Sequence, residues 1–247
     1  MTEPEMWLIL IAIFVTAGFI KGAVAIGLPT ASVAVLSLFF EPREAIALML
    51  YPMFYSNALQ AYRGGLFARS WQRYRTYIIV QLFVVIAILY LTSDISGDIL
   101  RIFLGIVIVL FVVVSILATI PRIPDAHDQK FQIGFGSFAG VLGGIVAVWA
   151  APIIIYLTAR GVDKEEFARA SGFMITICTL PLLFGYYQLG FLNGENSLIS
   201  IAMLIPVTLG FFLGERLRNY VSEDFFRNML LAIFAVLGAN LVWQGIA

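Results

Sequence analysis

Charge is the first shortage. The 247 residues include 15 Lys and Arg and 15 Asp and Glu, which is 12% of the chain and about half the usual share of roughly 25%. A soluble domain of this length needs a polar shell that so few charged side chains cannot supply. An ordinary globular enzyme, a disordered protein and a nucleic-acid-binding protein are excluded. Cysteine is reduced to Cys178, so no intrachain disulfide and no Cys-rich metal site can form. Histidine is reduced to His127. The polar–apolar alternation of a membrane barrel strand is missing as well: IVIVLFVVVSILATI is apolar on every side. The start, MTEPEMW, lacks the basic residues of a signal peptide, so the first apolar run is expected to belong to the mature protein.

Apolar residues are abundant instead, at 61%, with a mean hydropathy of +0.97. They fall in ten runs: Trp7–Ile20, Ala23–Phe40, Ala45–Ala61, Thr76–Leu91, Ile102–Ile120, Phe131–Val148, Ala151–Thr158, Ala170–Leu189, Leu198–Gly214 and Arg227–Trp243. At about 20 residues per span the chain has room for roughly eight to ten membrane segments and no soluble domain. All should be helical, because an open strand edge cannot be satisfied in lipid. The expectation is an all-α polytopic protein, multi-pass in the cell (inner) membrane.

Lys and Arg in the short connections set the orientation. RGGLFARSWQRYR, with Arg63, Arg69, Arg73 and Arg75, marks the cytoplasmic side. TSDISGD, with Asp94 and Asp98, belongs outside. PRIPDAHDQK returns inside with Arg122 and Lys130, as does the stretch around Arg160, Lys164 and Arg169. LGFLNGEN, without Lys or Arg, is external, and ERLRNYVSEDFFR is internal. These assignments alternate only if Phe131–Thr158 leaves and re-enters on one side. By the same parity Trp7–Phe40 starts and ends outside.

That parity points to an internal repeat. GFIKGAVAIGLP resembles GSFAGVLGGIVAVWAAP, aligning Gly18 with Gly136 and Gly22 with Gly140. AYRGGLF resembles YYQLGFL, and SGDILR matches SEDFFR. The Arg-rich connection of the first half aligns with an Arg-free one of the second. Two inverted repeats are expected, 1–123 and 124–247, of about four to five membrane segments each, with Gly-rich broken or re-entrant helices. Inverted repeats are a transporter signature, with the substrate held at the repeat interface.

Trp7–Phe40 is 34 residues long and Phe131–Thr158 is 28, both short of the roughly 40 that two full spans need. Each reads as a hairpin dipping into the membrane, with its tip at Lys21-Gly22 in one and Gly143-Gly144 in the other. Helix N-termini exposed at such tips favour anions. The same glycines also fit close helix packing, as in small-xxx-small patterns. Lys21 is the one ionisable residue inside a long apolar run. An intramembrane Lys is costly, and with no acid nearby in sequence an anionic substrate is its natural partner. If Trp7–Ile20 is a full span, Lys21 instead snorkels to water at its end.

Ala45–Ala61 is unusually polar. Tyr51, Ser56, Asn57 and Gln60 suit either a cavity lining or interhelical hydrogen bonds, and Thr176 on Ala170–Leu189 is the counterpart. Trp149, beside the second tip, suits substrate contact or space filling. No buried Asp, Glu or His is visible for a proton relay, so coupling to H+ or Na+ stays open, as does oligomeric state.

GFIKGAVAIGLPTASVAVLSL with EPREAIALML and AYRGG resembles the first half of the sulfite exporter TauE/SafE family. LGFFLGERLRNYVSEDFFRNMLLAIFAVLGANLV resembles its C-terminal signature. The resemblance implies a multi-pass transporter of small anions such as sulfite, thiosulfate or sulfoacetate. It points to Gly18, Gly22, Gly27 and Pro29 in the first half and to Gly140, Gly143, Gly144 and Pro152 in the second. This chain departs from the family at Ile26-Gly27-Leu28, where a glycine run is usual, and at Ile145-Val146-Ala147. The expected function is secondary transport of a small sulfur anion, the lipid bilayer being the other partner. No catalytic residue, metal or cofactor is expected. The alternatives are a membrane enzyme acting on lipid phosphate, for which Glu165, Glu166 and His127 show no arrangement, and a non-transporting accessory subunit.

Overall fold

The computed structural model describes residues 3–24, 28–65, 67–117, 120–217 and 223–246. Among the described residues there are helices and turns and no strand. The helices are α1 (Glu3–Val24), α2 (Leu28–Leu36), α3 (Pro42–Gly64), α4 (Phe67–Leu91), α5 (Gly97–Leu117), α6 (Asp128–Val146), α7 (Ala150–Ala159), α8 (Lys164–Gln188), α9 (Gly194–Ala202), α10 (Leu204–Leu217) and α11 (Glu223–Ile246). Ten apolar runs become ten helical segments, the ninth divided in two. Pro206 causes the division: it lacks an N–H and clashes with the carbonyl four residues back, so α9 stops at Ala202. Asn193 opens α9 with a reciprocal capping box to Asn196, and Asp163 caps α8 by accepting from Glu166 N. Six helical stretches are long and apolar enough to cross a membrane, and the chain is a polytopic membrane protein. α3 and α6, of 23 and 19 residues, are not among them, because polar residues and glycines lower their hydropathy.

Both expected tips move. α1 runs through Lys21-Gly22 to Val24, and α6 runs through Gly143-Gly144 to Val146. The glycines do not break these helices: Gly22 and Gly144 lie against a neighbouring helix and Gly143 against the Trp149 indole. The described helices of each segment are a long one and then a short one: 22 residues and 9, then 19 and 10.

The chain forms two compact units. The first comprises Met1–Pro52, Ser96–Ile116 and Asn193–Ala247; the second comprises Met53–Ile95 and Leu117–Leu192. Neither coincides with a half of the sequence. In the first unit α1 and α10 run parallel in backbone contact. A Cβ at Gly18 would fall on the carbonyl oxygen of Val207 and one at Gly22 on that of Phe211. Gly210 and Gly214 stand in the same relation to Val15 and Phe19. α11 crosses α5 antiparallel, Gly238 meeting Gly105 and Gly245 meeting Asp98 and Ile102. At one end Arg101 reaches Glu41 at 3.1 Å, Asp98 at 3.3 Å and the carbonyl of Ser37.

In the second unit α6 runs parallel to α4, with Gly136 against Tyr77, Gly140 against Gln81 and Val84, and Gly144 against Val85 and Ile88. α7 then folds back. Ile123 N, before α6, donates to Ala159 O at the end of α7 at 2.9 Å, so this segment leaves and returns at one end as parity required. α8 also runs parallel to α4, meeting it at Glu166–Tyr74, Gly185–Leu89 and Gln188–Tyr90. Tyr74, Tyr77, Tyr156 and Trp149 are buried in this unit, none more than 1% exposed.

Candidate substrate site

In the first unit Lys21 lies in the last turn of α1, inside the span Pro4–Ala23, and is 1% exposed. It is therefore no snorkelling terminus. A cation at a helix C-terminus is favoured by the peptide dipoles. Gly22 beside it is taken up by the α10 contact. Gly27 lies outside the described residues. Pro29 stands in the first turn of α2, and its side chain is likewise outside them. α2 also brings Thr30 and Ser32, 1% and 0% exposed, whose hydroxyls meet no hydrogen-bond partner. Sequence reading missed both, because an isolated hydroxyl in an apolar run carries no periodic signal. Tyr51 is half-buried on α3.

The second unit holds the other break. α6 ends on Ala147, whose φ of 55° is left-handed without glycine's help. Trp149 is the N-cap of α7 and is fully buried. Its indole Nε1 lies against Gly143 so closely that a Cβ there would fall on it. Gly143 is thus the seat of Trp149, and Gly144 is packed on α4. The N–H groups of Ala150 and Ala151, at the start of α7, precede any intrahelical acceptor, and Pro152 has none. On α4, Gln81 is fully buried, with no partner for Oε1 or Nε2; Tyr77, also fully buried, has none for Oη. A glutamine in the middle of Thr76–Leu91 was the signal that could have found this position.

Asn57, Ser56, Gln60 and Thr176 each donate a hydrogen bond within the protein. Asn57 Nδ2 donates to Met53 O at 2.8 Å, and Ser56 Oγ to the same carbonyl at 3.3 Å. Gln60 Nε2 donates to Ala168 O on α8 at 2.6 Å and to Ser171 Oγ at 3.3 Å. Thr176 Oγ1 donates to Gly172 O of its own helix at 2.7 Å. Gln60 is therefore an interhelical tie.

Three of the four connections read as cytoplasmic meet at one end of the second unit. Arg73 donates to Glu166 Oε1 at 2.6 Å, and Tyr74 Oη donates to the same oxygen at 2.6 Å. Arg160 pairs with Asp125 at 2.6 Å and Asp128 at 3.1 Å, and Tyr156 Oη donates to Asp128 at 2.9 Å. The hydrogen bond and charge of Arg160 hold the Asp125 carboxyl below its usual range. Gln132 splices into α4. Its Nε2 donates to Arg73 O at 3.0 Å and its Oε1 accepts from Tyr77 N at 3.1 Å, bridging two groups that a regular helix would join directly. Glu166, which with Glu165 and His127 showed no arrangement in sequence, is 8% exposed. Among the described residues no cluster of His, Cys, Asp and Glu could hold a metal.

A family model described as Sulfite exporter TauE/SafE matches residues 10–241. No curated protein and no solved structure gives a significant match.

Proposed function

The chain belongs to the sulfite exporter TauE/SafE family, whose members are membrane transporters of sulfur anions, and from that premise we propose that it is a secondary transporter of a small sulfur oxyanion or organosulfonate in the inner cell membrane. The observation that carries the reading is Lys21, buried within a membrane-spanning helix. An intramembrane cation is expensive and is retained for a function. The start of α2, with its buried hydroxyls, supplies polar groups in the same unit.

Mirrored packing supports the inverted-repeat reading of 1–123 and 124–247. Under the alignment of Gly18 with Gly136, α1 corresponds to α6 and α4 to the α9–α10 pair. The contacts α1 with α10 and α6 with α4 are then the same contact made twice, with the halves exchanged. Such repeats transport by alternating access.

The test is flux into proteoliposomes for sulfite, sulfate, thiosulfate, sulfoacetate and small carboxylates. At least one sulfur anion should move, and Lys21→Met should lower its flux at least about tenfold, since burial of an anion without its countercharge is costly. Movement of no anion defeats the reading. Flux unchanged in Lys21→Met removes Lys21 from it.

A further inference from the structure

The outer row of α4 carries a charge where lipid should lie. Every fourth residue from Trp71 to Leu91 is exposed: Trp71, Arg75, Ile79, Phe83, Ala87 and Leu91. Residues four apart stand one above the other on a helix, about 5–6 Å apart at Cβ. Trp71 is 42% exposed, Ile79 41%, Phe83 67% and Leu91 78%. α4 is long and apolar enough to cross a membrane over all its 25 residues, and α6 and α8 cover its other sides at Tyr77, Gln81, Tyr74 and Leu89. The row therefore faces acyl chains, and Arg75 is the one charge in it.

Helical rise gives its depth. Thr92, Ser93 and Asp94 follow Leu91, so Leu91 stands near one edge of the hydrocarbon. Arg75 is 16 residues before Leu91, or ~24 Å, and Trp71 is 20 before it, or ~30 Å, about the thickness of the hydrocarbon core. Trp71 is then at the opposite interface, where indoles collect, and Arg75 is one turn inside it. Helical side chains lean towards the N-terminus, so the Arg75 guanidinium reaches back past Trp71 and the exposed Gln72 to headgroup level.

The protein provides no countercharge there. Arg75 and Arg69, both exposed, have no ion-pair or hydrogen-bond partner among the described residues. The carboxylates at this end are engaged: Asp125 and Asp128 with Arg160, Glu166 with Arg73 and Tyr74, and Asp163 as the cap of α8. Glu165 is exposed on α8, which meets α4 on the side of Tyr74 and not of Arg75. The second unit has nine Lys and Arg against six Asp and Glu, and all nine cations lie at this end, whereas Asp94 lies at the other. The complement of such an end is an anion. Its continuity with an apolar row means that the anion carries acyl chains.

We propose that Arg75, Trp71 and Gln72 seat the headgroup of an anionic phospholipid, whose chains lie along Ile79, Phe83 and Ala87. The guanidinium takes two phosphate oxygens, and the indole and amide N–H groups are further donors. Arg69 and the other cations of this end favour a net anionic lipid over a zwitterionic one, whose own ammonium offsets its phosphate. Nothing in this seat depends on which anion the protein transports.

The experiment uses the full chain in phosphatidylcholine vesicles with a minor share of phosphatidylglycerol, one lipid or the other brominated near the ester end of its chains. Bromine quenches indole fluorescence on contact. The chain has 4 Trp, and the Trp71 signal is the wild-type fluorescence less that of Trp71→Phe. Mole for mole, brominated phosphatidylglycerol should quench it about fivefold more effectively than brominated phosphatidylcholine, as one Arg near an anionic lipid surface implies. Arg75→Gln should bring the two lipids to parity, with helical circular dichroism verifying that the variant is folded. Equal quenching in the wild type overturns the proposal, and so does a preference that Arg75→Gln leaves intact. No quenching by either lipid would place a second copy of the chain on the row and overturn it as well. A preference abolished by inorganic phosphate at constant ionic strength would make the seat one for free phosphate, with the same consequence.

Discussion

Replacing one hydrogen of Gly18 by a methyl group should cost more than any surface change, and the structure says why. The new Cβ would fall on the carbonyl oxygen of Val207, 3.0 Å from its carbon and 3.1 Å from Phe211 N. Backbone cannot step aside as a flexible side chain can. α1 and α10 must part by on the order of 1 Å, and a gap of 0.5–1 Å already forfeits about a quarter to a half of each atom pair's attraction. Overpacking of this kind costs about 1–3 kcal/mol. Gly134 is the internal control: it is exposed on α6 and a Cβ there would meet nothing within 4 Å. Gly134→Ala should gain up to about 1 kcal/mol from helix propensity alone. The two alanines should therefore differ by ~1–4 kcal/mol, or roughly 2–16 °C in Tm at about 2–4 °C per kcal/mol for a chain of this size. Thermal unfolding of the purified protein, followed by helical circular dichroism, reads this directly. Equal Tm values for the two variants would refute the backbone-contact account of α1 and α10.

Other expectations rest on separate parts of the molecule. Gln132→Leu removes bonds to Arg73 O, Tyr77 N and Asp128 Oδ2. It should cost about 2–4 kcal/mol and speed hydrogen exchange at the Tyr77 amide, and unchanged exchange there would count against the splice. The lowered pKa of Asp125 implies stability that is present above the ordinary carboxylate range and lost as pH falls through the depressed value. Asp125→Asn should then flatten the acid limb of a plot of Tm against pH, and an identical limb would deny the Arg160 pair that role. Cysteines placed at Arg69 and Asp94, at the two ends of α4, should label from opposite faces of membrane vesicles. Labelling from one face would overturn the topology.

Most of the fold was legible because each span is a solvent problem: apolar runs must be helices of membrane length, and the ten runs are ten helical segments. The turn positions were less legible. Glycine was read as a breaker at Lys21-Gly22 and Gly143-Gly144, yet both lie within helices as surfaces for a neighbouring helix or indole. The turn at Ala147 uses a left-handed alanine, which no residue preference announces. The split at Met203 could have been read from Pro206. Lys21 was found as a charge where charge is rare. Gln81 and Thr30 were not, because an uncharged polar residue hardly alters an apolar run. The meeting of Arg73 with Glu166, 93 residues apart, has no local signature. Only the expectation that both connections lie on one side pointed towards it.

The pairing of α1 with α10 also sets an order of assembly. α1 leaves the ribosome well before α10: the carbonyls that cover Gly18 and Gly22 belong to a helix about 190 residues later. At about 5–20 residues per second that helix arrives roughly 10–40 s afterwards. Through that interval α1 must rest in lipid with its small-residue face bare and Lys21 in place. The second unit has no such wait beyond α8. It can close before the first one does, and nascent chains halted after α8 should protect the α4–α6 face from protease while α1 remains open to degradation.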